Sequence, residues 1–220
     1  MAKVYLSPSN QTENRYAYGN TTEAVQCGKI ADACKAALER SGVTVKLGHM
    51  PSMQDKCKES DAFGADLHVP IHTNAFNGKV SGTRMFCFNS SGEGMKACKA
   101  IFARLAPVTP GTSGNIRVDD SLYEVRAPKA PTAYIECEFH DNPTASKWIV
   151  ENTALIGETI AKGICDYFGV TFKEPEQPKL AESDKLYRVQ VGAFAKRENA
   201  EKMLAKLKAA GFDGFIRGGN

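Results

Sequence analysis

The feature that most constrains this chain is the alternation of its first 170 residues between short β-branched runs and longer amphipathic stretches. Residues 4–6 read as a strand. Residues 22–40 read as a helix, with Cys27, Ile30, Cys34 and Leu38 recurring on one face and Ser41-Gly42 ending it. Strands are expected at 43–47, 66–72 and 82–88, a helix at 92–105, a strand at YIECEF (134–139) and a last helix over about 143–168. This rhythm predicts an α/β fold: a mixed, largely parallel sheet flanked by helices on both faces. Residues 171–185 are charged, hold two prolines and read as a linker. From 186 to 220 the pattern is that of a small C-terminal β-α-β unit, too short to be expected to fold firmly alone.

In open α/β sheets, ligands bind beyond the carboxyl ends of the strands. Those ends carry SPSNQ (7–11), Gly48-His49, His72-Thr73-Asn74 and His140-Asp141-Asn142, so three of the four histidines sit at strand exits. Glu23 opens the first long helix, where the helix dipole alone favours a carboxylate. A histidine and carboxylate cluster of this kind suits zinc, which in catalytic sites takes three protein ligands and a water. His68 shares a face with His72, but four strand residues span about 13 Å, so the two do not share one metal; His68 reads as packed or hydrogen-bonded. Glu136 and Glu138 share a face of what reads as a central strand. Two carboxylates there call for a cation, either zinc or Arg126.

The net charge of +3 is mild and shows no concentrated basic face, so no nucleic-acid partner is expected. A weak preference for an anionic polymer such as a cell wall would suit it. No stretch reaches the roughly 18 apolar residues of a membrane span, and the first residues do not read as a signal peptide. Synthesis in the cytoplasm is the expectation. The seven cysteines show no CxxC spacing and read as reduced, buried thiols rather than a disulfide framework.

Taken in order, VYLSPSN, TTEAVQCGKIAD, ADLHVPIHTNA and AYIECEFHDN resemble the zinc-dependent N-acetylmuramoyl-L-alanine amidases of the type 3 group, which includes autolysins and phage endolysins. The resemblance covers residues 1 to about 170. It implies hydrolysis of the amide between N-acetylmuramic acid and L-alanine in peptidoglycan, with Zn²⁺ as cofactor. It makes Glu23 and His72 metal ligands and Glu136 the general base and acid, and it places Asn74 and Arg126 near substrate. The family's first ligand is the histidine of a DPGHGG loop; here the loop reads SPSNQT, with Asn10 in that place. His140 is the candidate for the third bond; His49, Gln11 or no third protein ligand are the alternatives. Glu138 falls on a usual glycine and is expected to steady a ligand or to pair with Arg126.

LYRVQVGAFAKRENAEKMLAKLKAAGF resembles the first half of a SPOR domain, a peptidoglycan-binding module. A half module is expected either to be truncated or to pair with a second copy in a homodimer. Without a signal peptide, the resemblance favours a phage or prophage endolysin. The alternatives are a peptidoglycan-binding or regulatory protein that kept the fold without catalysis, and another metal-dependent amidohydrolase on a similar sheet.

Overall fold

The structure, a computed structural model, describes residues 1–175 and 189–217. The first of these stretches holds a six-stranded sheet in the order β2-β1-β3-β6-β4-β5. Its strands are β1 (Lys3–Pro8), β2 (Thr44–Leu47), β3 (Leu67–Asn74), β4 (Arg84–Cys87), β5 (Asn115–Val118) and β6 (Tyr134–Phe139). All neighbours are parallel except β4 and β6, which run antiparallel. The expected mixed, largely parallel sheet is what the chain forms.

Strand alternation divides the sheet into two faces. Val4, Leu6, Leu67, Val69, Ile71, Met85, Ile135 and Cys137 point into the main core. There they meet α1 (Glu23–Arg40), α3 (Glu93–Leu105) and α6 (Thr153–Phe168). Helix α1 forms because Cys27, Ile30, Ala31, Cys34 and Leu38 make one buried stripe, with Glu23 in the first turn and Arg40 in the last. The opposite face presents Tyr5, Ser7, His68, His72, Tyr134 and Glu136. Its β1–β3 half is covered by α2 (Met53–Phe63) and the short α4 (Tyr123–Arg126).

No apolar periodicity announces α2, whose buried residues are only Lys56, Cys57 and Ser60. Its ends are set locally. Ser52 Oγ accepts from the Asp55 N–H at 3.1 Å, and Gly64 closes the helix in the left-handed region, at φ 67°. The single helix expected over 143–168 is two, α5 (Pro143–Glu151) and α6, broken at Asn152. Asn152 leaves the helical region at φ −129° and ψ 23°, and its Nδ2 donates to the Trp148 carbonyl at 2.8 Å.

The linker expectation needs correcting at its near end. Lys173 donates its backbone N–H to Ser41 Oγ at 3.0 Å, and its carbonyl accepts from Arg40 Nε at 2.8 Å. Phe172 packs on the core beneath the cations of Arg40 and Lys162. The first compact unit therefore runs to Pro175; the rest of the expected linker, 176–185, lies outside the described residues. In the second unit, the described residues form α7 (Arg197–Ala209), and the flanking stretches 189–194 and 212–217 do not pair as strands. All seven cysteines are buried and free.

Candidate active site

The parallel strands β1, β3 and β6 deliver their carboxyl ends to one edge, and the loop after β1 folds back over it. Ser9 donates its backbone N–H to the Ile71 carbonyl at 2.9 Å, so the loop continues the β1–β3 pairing past the strand end. Two backbone bonds, Glu23 N–H to the Asn14 carbonyl and Ala24 N–H to the Gln11 carbonyl, then seat the start of α1 against this loop. Glu23 is thereby pushed under the end of β3. Its Oε1 lies 2.8 Å from His72 Nδ1, and its Oε2 accepts from Asn14 Nδ2 at 2.6 Å. Burial opposes ionisation of Glu23, but His72, Asn14 and Ser9 outweigh it and hold the carboxyl below its ordinary range. The His72 ring is steadied by stacking on Tyr134, centroids 4.8 Å apart.

Glu136 is the cross-strand partner of His72. The residue is part-exposed, yet its Oε2 is buried with no hydrogen-bond partner. Burial first, and the charge of Glu23 second, push its carboxyl well above the usual carboxylate value. Such a group holds a proton closer to neutral pH and can both take and return one. His72 Nε2 is likewise buried and unpartnered.

Glu138 does something different from Glu136. It accepts the backbone N–H groups of Gly82 at 2.7 Å, Phe139 at 2.9 Å and Gly111 at 3.0 Å. The carboxylate thus ties two loops to the end of β6, and a side chain on Gly111 would collide with it. It does not pair with Arg126, whose guanidinium donates to the carbonyls of Asp120 and Ser121 and lies over the Tyr123 ring. The expectation of a Glu138–Arg126 pair fails because α4 turns the arginine into its own preceding loop. Asn74 stands at the exit of β3, its Oδ1 taken by the Ala75 N–H and its carbonyl by the His140 N–H.

Two strong donors for a metal, Glu23 and His72, come together as expected; the third does not. His140 is buried away from them: Nδ1 lies 3.0 Å from Thr73 Oγ1 and 2.9 Å from the Thr73 carbonyl, and the ring stacks on Tyr16. Among the described residues it joins no metal-ligand trio with Glu23 and His72. The Thr73 side chain and backbone hold the ring in place, which corrects the assignment of His140 as third ligand. Asn10 turns its amide out to the Pro51 carbonyl at 2.7 Å, and His49 is exposed. Gln11 is the one alternative that stays close, its Nε2 at 3.4 Å from His72 Nδ1. The carboxylate and imidazole fit a divalent cation by donor chemistry, with two protein bonds rather than three.

Sequence reasoning did not group Cys57, His68 and Glu124, whose ligand atoms lie within 4.8 Å of one another beneath α2 and α4. The bonds there are already made within the protein. Ser7 Oγ donates to Glu124 Oε1 at 2.5 Å, and His68 Nε2 lies 3.3 Å from the same oxygen. The buried Lys56 adds its charge and donates to the Pro8 carbonyl at 2.6 Å. Burial and the charge of Glu124 push the Cys57 thiol up to about 12, which keeps it protonated and a poor ligand.

Comparison with known proteins bears on the family and the fold. The profile of the family described as N-acetylmuramoyl-L-alanine amidase matches residues 4–166, and that of the SPOR domain matches residues 167–218. The sporulation-specific N-acetylmuramoyl-L-alanine amidase of Bacillus subtilis (strain 168) is 22% identical over 223 residues, covering 98% of this chain and 84% of its own length. Among solved structures, the catalytic domain of the amidase CwlV from Bacillus (Paenibacillus) polymyxa var. colistinus superposes with a TM-score of 0.70 at 17% identity. It is covered in full, against 78% of this chain. The catalytic domain of the CD27L endolysin, which targets Clostridia difficile, superposes with a TM-score of 0.61 at 17% identity, over 76% of this chain and 98% of its own. Among the described residues, no helix is long and apolar enough to cross a membrane.

Proposed function

Because the chain belongs to the N-acetylmuramoyl-L-alanine amidase family and carries a SPOR domain at its C-terminal end, we propose that Glu136 is the general base and acid of its peptidoglycan amide hydrolysis, with Glu23 and His72 as the metal-binding pair. The observation that carries this reading is the Glu136 carboxyl. It is raised by burial, has an unpartnered oxygen, and sits one strand from His72. Zinc, held by Glu23 and His72, would supply polarisation of the scissile carbonyl and a more acidic water.

The chain's own groups account for the rest. Glu23 stays ionised beside His72 and keeps the imidazole oriented. Its negative charge also raises Glu136, so the proton that Glu136 takes from water is available to the departing amine of L-alanine. Tyr134 closes one side of the His72 ring and limits solvent there. Asn74, at the exit of β3, would meet the substrate backbone. The SPOR domain would hold the enzyme on its polymer, making the second binding event intramolecular.

The test is the release of L-alanine amino groups from purified peptidoglycan, together with the zinc content of protein prepared without added metal. The wild type is expected to release amines, and Glu136→Gln to be about 10²- to 10⁴-fold slower at equal melting temperature. No amine release from zinc-loaded wild type would leave the non-catalytic, peptidoglycan-binding reading in its place.

A further inference from the structure

Four buried polar atoms without a hydrogen-bond partner fall on one line across the sheet. His72 on β3 pairs with Glu136 on β6, Glu136 with Arg84 on β4, and Arg84 with Asn115 on β5. Along that row His72 Nε2, Glu136 Oε2, Arg84 Nε and Asn115 Oδ1 are each unpartnered. Paired residues in a ladder share a face. This is the face away from the core, since the alternate residues Ile71, Ile135 and Met85 are the ones buried in it. The chemistry above uses the first two atoms. It leaves Arg84 and Asn115 unexplained.

Arg84 carries a full positive charge and, among the described residues, forms no ion pair. Its guanidinium lies over the Phe139 ring, 5.3 Å from the centroid. It is not spent on its cross-strand neighbour Glu136, whose Oε2 is itself unpartnered. A part-buried guanidinium with a sealed, unpaired Nε is unfavourable in the free protein and becomes favourable once an anion docks on it.

We propose that Arg84, with Asn115 beside it, forms a subsite for a carboxylate on the peptide side of the scissile amide. The inference rests on the amidase reading above. In the substrate, the lactyl carboxyl of the muramoyl group is itself the acyl half of the bond that is cut, and the N-acetylated sugars are uncharged. A negative charge next to the scissile bond therefore belongs to the peptide. Strands lie about 4.8 Å apart, so Arg84 is one strand and Asn115 two strands, roughly 10 Å, from Glu136. An extended peptide advances at most about 3.6 Å per residue. One strand spacing is little more than one such step, so the carboxylate falls on the residue that follows L-alanine. The planar guanidinium suits a two-point grip on that carboxylate, and Asn115 Oδ1 is left to accept an N–H of the same segment.

The experiment uses two soluble muramoyl peptides that differ only in the residue after L-alanine, one with a free carboxylate and one with a carboxamide. In the full chain, kcat/KM is expected to favour the carboxylate form on the order of tenfold, through KM. Arg84→Gln should bring the carboxylate form down to the rate of the carboxamide form, and Arg84→Lys should keep part of the preference. Equal rates for the two peptides in the wild type, or an equal loss on both in Arg84→Gln, would overturn the proposal. If neither peptide is cleaved, the amidase reading has failed, and calorimetric binding of the same two peptides still decides about Arg84. A tighter Kd for the carboxylate form that vanishes in Arg84→Gln supports the subsite, and equal Kd values reject it. Equal melting temperatures of wild type and Arg84→Gln confirm that folding is not what changed.

Discussion

Strand β3 carries two histidines four residues apart, each paired with a glutamate from a helix, and the two pairs have opposite characters. His68 with Glu124 lies at the covered half of the sheet, and His72 with Glu23 lies at its open edge. Each imidazole stacks on a tyrosine, Tyr5 for His68 and Tyr134 for His72. Each glutamate is held below the ordinary carboxylate range against the opposing effect of burial. The difference lies in what surrounds them. Glu124 is also met by Ser7 and the charge of Lys56, so its cluster is nearly complete and leaves His68 Nδ1 unpartnered. The pair at the edge opens onto a whole row of unpartnered atoms. The same two residue types therefore build a closed cluster in one place and the proposed reactive site in the other, and the row of unpartnered atoms beside the second tells them apart.

Exchanging the damage between the two pairs gives the largest expected effect. His72→Ala should lose bound zinc and fall at least about 100-fold in amine release, with the fold retained. His68→Ala should keep zinc and lose stability instead. Zinc analysis and urea unfolding on both proteins check this. If His68→Ala were the variant that loses zinc, the metal would belong to Cys57, His68 and Glu124, and the roles assigned to the two pairs would be reversed.

Next in size is the removal of Glu124. Glu124→Ala leaves Lys56 buried without its countercharge and Ser7 without an acceptor. Leaving buried polar groups without their partner costs about 1–3 kcal/mol, to be read as a lower urea midpoint at unchanged slope. A loss below about 1 kcal/mol would show that the closed cluster is not structural.

The comparison also explains what could be read from the residues in advance. The sheet, α1 and α3 follow apolar periodicity, which survives in any sequence that must cover a core. Glu23, His72 and Glu136 could be singled out because each lies in a recognisable string, Glu23 at the start of α1 and His72 near the exit of β3, and the structure brings the three to one edge of the sheet. Helix α2 was not, because it buries a lysine, a cysteine and a serine against a polar cluster, and the hydrophobic pattern carries no trace of that. For the same reason Glu124 went unnoticed: its partners Ser7, Lys56 and His68 come from three separate elements. His140 misled by position. It follows the right strand, but Thr73, one residue beyond His72, captures its ring. Arg84 shows no motif and emerges only when cross-strand register is known.

The smallest expected effect is in the pH dependence of stability, and it separates the closed cluster from the proposed reactive site once more. The folded-state pKa of Glu124 lies below its unfolded value, so the folded form binds fewer protons there. Its stabilisation is complete above the unfolded value, about 4.3, and is lost as pH falls through the depressed folded value. Glu136 has the opposite sign: its folded value is raised, so the folded form loses stability as pH climbs from about 4.3 toward that value. Urea unfolding of metal-free protein across this range should show Glu124→Gln flattening the acid side of the profile. Glu136→Gln should instead raise the neutral side. The same change of slope in both variants would mean that the two carboxylates share one environment, and the distinction between closed cluster and proposed reactive site would be lost.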